Sequence, residues 1–196
     1  MNNNVYFFNF FLSIKIFMSM NLSRELANAL MNIWKSHDEG NIIEGFEAAY
    51  KLYSLLGCKD EPNCSVAAML TISAYFVSDI AEKYQGKNEE KEDEYYRMAG
   101  ELLKFSRKLC DLEPNSADFT WRWWKAYRHK DRNKVKKYLK EEHRSQFKNL
   151  EKEKCAEECS EKIMEAAEFH KKRNWNKVLE VLTEYFEIYL KCIYKD

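Results

Sequence analysis

Across most of its 196 residues the chain repeats apolar side chains at the spacing of an α-helix, with short polar breaks between the periodic segments. Turn-forming residues are scarce, with five Gly and two Pro, whereas a sandwich or barrel needs a turn signal about every 8–12 residues. Together these features exclude an all-β fold and predict an all-α one. Apolar residues make up 45% and aromatics 15% of the chain. That is material for a sizeable core, so the chain need not be disordered.

Seven helices follow from the periodicity. The first, about 21–37, lines up Leu22, Leu26, Leu30 and Trp34 and ends at Gly40. The second, about 41–57, aligns Ile42, Phe46, Ala49, Tyr53 and Leu56; the third, about 65–84, is apolar nearly all round and is expected to be the most buried. A fourth, about 92–112, is closed by Pro114. The fifth, capped by Asn115 or Ser116, reaches about His129. A sixth begins near Asp131 and either continues to Lys172 or breaks near Gln146, with no Gly or Pro to decide. The last runs from Trp175 to Tyr194, and the short Arg173-Asn174 link implies an antiparallel hairpin.

Charge and cysteine usage narrow the class further. Residues 1–118 carry 12 basic against 18 acidic side chains, and 119–196 carry 20 against 14. Eleven of those basic residues lie between Arg122 and Lys148, facing three acidic ones, which suggests either an anion-binding footprint or two helix faces of opposite sign that attract each other. The six cysteines point to a reducing compartment, with Cys155 and Cys159 read as buried free thiols, and a cytoplasmic location is expected. Cys155 and Cys159 share a helix face, but no second tight pair accompanies them, so no metal and no other cofactor is expected.

The opening run from Val5 to Met18 is interrupted by Asn9, Ser13 and Lys15. It lacks the layout of a secretory signal and is shorter than a bilayer span, as is Val66 to Val77, so stable membrane insertion is not expected. Residues 1–20 read as a flexible arm or an extension ahead of a start near Met18 or Met20, and 21–196 as a single helical domain.

Three turns resemble tetratricopeptide (TPR) repeats. Phe169 to Leu182 is similar to the centre of such a repeat, with Trp175 opening the second helix and Val178 at the small position one turn later. Ser36 to Tyr53 is similar, with Gly40 at the turn, Ile42 opening the helix and Gly45 at the small position. Cys110 to Asp118 resembles the closing proline segment, ahead of Trp123 and Trp124. Val178 is larger than the usual alanine, Trp124 stands where glycine is common, and the acidic stretch after Gly86 breaks the 34-residue period. The resemblance implies a short α-solenoid of antiparallel hairpins; an irregular helical bundle is the alternative.

Residues 121–129, Trp-Arg-Trp-Trp-Lys-Ala-Tyr-Arg-His, form the most unusual stretch. Trp121, Trp124 and Arg128 fall on one helix face and Trp123 and Tyr127 on another, so one narrow core seam cannot take them all. Trp121, Trp124, Lys125, Tyr127 and Arg128 are therefore the candidate contacts for a peptide or partner helix. Stacking on bases is the nucleic-acid alternative, and the last helix is a candidate homo-oligomer interface. Arg122 and His129, six residues apart, resemble the loose Arg-x4-6-His motif of HEPN-type helical ribonucleases. No P-loop, dinucleotide fingerprint, HExxH or nucleophile elbow is present. The expected function is non-catalytic protein binding.

Overall fold

A computed structural model describes residues 3–147 and 151–194, with side chains within those ranges from residue 21 to residue 193. The helices are α1 (Asn3–Glu39), α2 (Ile42–Leu55), α3 (Glu61–Glu82), α4 (Glu89–Leu109), α5 (Ala117–Arg128), α6 (Arg132–Gln146), α7 (Lys152–Lys171) and α8 (Trp175–Tyr194). A single 3-10 turn, Pro114–Ser116, precedes α5, and no strand occurs among the described residues. The fold is all-α.

There are eight helices rather than seven because the sixth does break after Gln146. Phe147 leaves the helix in an extended conformation and buries its ring to 3% exposure against Tyr189 and His143. A packed aromatic thus ends the helix, with no Gly or Pro needed. α1 runs through the boundary expected at residue 21; the side chains of the expected 1–20 extension lie outside those described.

The turns repeat one piece of chemistry. At Gly40, Lys130 and Arg173 the backbone enters the left-handed region (φ +68°, +58° and +52°). The next N–H then returns to a carbonyl of the preceding helix: Asn41 to Ser36, Asp131 to Ala126 and Asn174 to Phe169, at 2.8, 2.9 and 3.0 Å. That same Asn or Asp caps the following helix with its side chain. Only the first of these turns uses glycine, which spares it the Cβ strain of the left-handed region. α4 ends in the same way at Asp111 (φ +53°), before Pro114 is reached. Ser116 does not cap α5 with its hydroxyl; that group donates to the Glu113 carbonyl and accepts from Arg107.

Every helix packs against its sequence neighbours, as consecutive hairpins require, and α1 also packs along α8. A linear array would leave its first and last helices apart; here they share a core through Leu26, Ile33, Val178 and Leu182. The last helix buries Val178, Val181, Leu182, Tyr185, Phe186, Tyr189 and Leu190 in this way, which leaves only Ile193 of its apolar face exposed among the described residues.

Two expectations are corrected at α3 and at the cysteines. α3 is not the most buried helix: it covers mainly small residues and leaves Val66 and Met69 exposed. It is also the one helix among the described residues long and apolar enough to cross a membrane, although 44% of its most apolar window is buried inside the fold against α2 and α4. Cys155 is not a free thiol but forms a disulfide with Cys192. The α7–α8 hairpin brings the start of one helix beside the end of the other, a pairing across 37 residues that sequence spacing could not reveal. Disulfides persist in oxidising surroundings, so this bond departs from the reducing setting suggested by the cysteine count.

Candidate functional site

The three like turns place like positions around one cavity. Counting back from the left-handed residue, the positions six, three and two residues earlier are Trp34, His37 and Asp38 in α1, Trp124, Tyr127 and Arg128 in α5, and Ala167, His170 and Lys171 in α7. All nine line a cavity of about 240 Å³, which Tyr75 and Ser78 of α3 and Trp123 complete. Positions three and four apart share a helix face, so helices running the same way through equivalent turns aim the same register inward. The C-terminal ends of α1, α3, α5 and α7 thereby converge, where helix dipoles favour positive groups. His37, Arg128, His170 and Lys171 stand there.

Hydrogen bonds and the ion pairs of Arg128 tie this cavity together. His37 Nε2 donates to Asp79 Oδ2 at 2.8 Å and His170 Nε2 donates to Asp38 Oδ2 at 3.0 Å, because a carboxylate oxygen only accepts. Arg128 holds Asp79 at 3.5 Å and also pairs with Glu82. Burial holds the His170 imidazolium down, against the pull of Asp38. The Tyr127 hydroxyl, pushed up to about 12 by burial, donates to the Ala167 carbonyl at 3.1 Å. The Lys171 ammonium sits 4.3 Å from the Tyr127 ring centre.

Behind the Trp123–Tyr127–Ala167–Lys171 wall lies a second cavity of about 190 Å³, with an apolar floor of Val135, Leu139, Ile163 and Met164 and a rim that includes Lys130 and Arg132. Such paired apolar spaces with a few fixed polar groups suit a ligand side chain or small apolar body. Among the described residues no group of three or more His, Cys, Asp or Glu is arranged to hold a metal ion.

The five residues singled out in the sequence are divided between two faces. Trp124, Tyr127 and Arg128 line the cavity. Trp124 is 8% exposed, against Tyr75 at 4.7 Å between ring centres, which makes it wall and core at once. Trp121 and Lys125 turn instead toward α4, where Trp121 lies over Gly100 and Lys125 pairs with Asp93 at 2.7 Å. The face expected to unite Trp121 with Trp124 and Arg128 is therefore split. Trp34, His37, Asp38, Tyr75, His170 and Lys171 were not singled out; the only signal was the likeness of the His37 and His170 turn segments, which spacing alone does not place together.

Five of the basic residues in the stretch 122–148 are paired with carboxylates of neighbouring helices. Lys125 and Arg128 meet the carboxylates of α4 and α3. Lys136 and Lys140 converge on Glu157 at 2.6 and 2.9 Å, and Arg144 meets Glu153 at 2.6 Å. Glu142 accepts hydrogen bonds from Arg107, Thr120 and the Trp123 indole, each at 2.7 Å. Arg122 and His129 share a groove with Trp121 and Lys125, but His129 Nε2 is held by the buried Glu92 carboxylate at 2.6 Å and Arg122 lies over the Trp121 ring.

No protein-family model matches the chain, no curated protein matches it, and no solved structure matches its fold.

Proposed function

We propose that the protein is a non-catalytic binding module that takes apolar or aromatic side chains of a peptide or partner helix into the paired cavities at the ends of α1, α5 and α7. The observation that carries this reading is the threefold repetition of register, which surrounds one cavity with Trp34, Trp124, Tyr127 and two histidines. Buried aromatic pockets of this kind supply the few anchors that dominate most interfaces. The TPR-like turns support the same reading, because helical-repeat hairpins present side chains of equivalent register to a shared concave side.

The test is a selection of peptides from a random display library against the full chain, followed by affinity measurement on an Ala167→Leu variant. Ala167 borders both cavities, so leucine there fills space without removing core. Selected peptides should carry an aromatic, Leu or Met anchor and lose about tenfold in affinity on the variant, with the far-ultraviolet spectrum unchanged. Unchanged affinity, or no enriched peptide, overturns the proposal.

A second reading is anion or RNA binding. It rests on Arg122, Lys130, Arg132 and Lys137, which meet no carboxylate among the described residues. Salt separates the two, because phosphate binding weakens steeply with ionic strength and apolar anchoring does not.

A further inference from the structure

Three cysteines converge on the side of the molecule away from the cavity's wall residues. Cys58 follows α2 in a turn that Gly57 (φ +93°) bends back, Cys64 lies in the first turn of α3, and Cys110 caps α4. The Sγ atoms of Cys58 and Cys110 are 3.0 Å apart, and Cys64 lies beside Cys58. Cys58 is half-buried, whereas Cys64 and Cys110 are buried. A disulfide is about 2.05 Å long, so about 1 Å of motion in the turn would join Cys58 to Cys110.

We propose that Cys58, Cys64 and Cys110 form a thiol–disulfide exchange site whose oxidised product is a Cys58–Cys110 bond and whose co-reactant is a small disulfide of the glutathione class. The Cys58 thiolate attacks one sulfur of glutathione disulfide, forming a mixed disulfide and releasing one glutathione thiolate. The Cys110 thiolate then attacks Cys58 Sγ, closing the protein disulfide and releasing the second glutathione thiolate. Two protein thiols are oxidised, one glutathione disulfide is reduced to two glutathiones, and the two thiol protons end on those leaving groups.

Access assigns the order. Only Cys58 of the three is open enough to meet a solute, and a mixed disulfide there lies 3.0 Å from the Cys110 sulfur. Burial and the neighbouring Cys58 push the Cys110 and Cys64 thiols up, Cys64 to about 11, so the closing step should quicken as pH rises. The bond would lock the α2–α3 turn to the end of α4. There it adds to the Lys59–Asp111 ion pair at 2.5 Å, beside a crevice lined by Asp60, Asn63, Phe105 and Leu109.

The experiment uses the full chain with its Cys155–Cys192 bond intact. It is incubated with rising ratios of oxidised to reduced glutathione, quenched by alkylation and mapped by peptide mass. Alkylatable thiols should fall from four to two, with a linked peptide pair spanning Cys58 and Cys110. The Cys110→Ser variant should stop one glutathionyl group heavier, and Cys58→Ser should keep Cys110 and Cys64 reduced. A Cys58–Cys64 linkage, a glutathionyl adduct that persists in the unmutated chain, or four thiols retained throughout would overturn the proposal. The mapping of the unmutated chain decides this without relying on either variant to fold.

Discussion

The side of the molecule built from α1, α7 and α8 is held by large apolar side chains and a disulfide, whereas the α3–α4 side is held by small residues and hydroxyls. In the first, Leu26, Ile33, Ile163, Val178, Leu182 and Phe186 fill one core, and Cys155–Cys192 staples the hairpin. In the second, Ala67, Ala74, Ala81, Ala99 and Gly100 bring the helices close together. There Tyr53, Thr71 and Ser106 satisfy one another at 2.6–2.9 Å, and Ser106 also donates to the Ala67 carbonyl. The same helical periodicity thus serves two packing solutions. A side held by volume should respond to lost methylene groups, and a side held by close approach should respond to one added atom.

Leu182→Ala, at a site with no exposure, should cost about 4 kcal/mol in urea unfolding because the cavity it leaves is enclosed. A loss below about 1 kcal/mol would show that this core is loosely packed. Removing the staple with a Cys155→Ser, Cys192→Ser double variant should cost about 4 kcal/mol, since the loop it closes spans 37 residues. Gly100→Ala tests the other side. A Cβ there would lie 2.3 Å from the Trp121 ring, so about 2 kcal/mol should be lost through forced movement of the indole. Tyr96→Phe should move the other way and gain about 1 kcal/mol in thermal unfolding, because the buried Tyr96 hydroxyl has no partner among the described residues.

The last expected effect is a slope. His143 Nδ1 donates to the Leu139 carbonyl at 2.7 Å, so Nε2 is the bare nitrogen and accepts from the Tyr185 hydroxyl at 3.1 Å. Burial lowers this histidine from its ordinary 6.5. As pH falls through that ordinary value the unfolded chain takes up a proton that the folded one refuses, so stability declines toward acid and is fully present above it. A His143→Gln variant should flatten the unfolding midpoint over that window; an unchanged slope would place the titrating group elsewhere.

The legible part of the fold was local. Leu26, Trp34 and Tyr53 announced their helices by spacing, Gly40 and Asn174 announced turns, and a break near Gln146 stood as one of two readings, with no Gly or Pro to decide between them. Less of the candidate site was legible. Trp124, Tyr127 and Arg128 stood out by their density, yet Trp121 and Lys125 stood out equally and turn to another face. His37 and His170 lie 133 residues apart and meet at one cavity, and nothing in either segment names the other.

The sequence by itself determined the all-α class and nearly all the helices, because helical periodicity is satisfied within a turn or two of the chain. Only the tertiary structure decided that α1 packs on α8 and that Cys155 pairs with Cys192. It also decided that three turns share one cavity. Each of these depends on contacts between segments distant in the chain, whose pairing follows from how whole helix faces fit together.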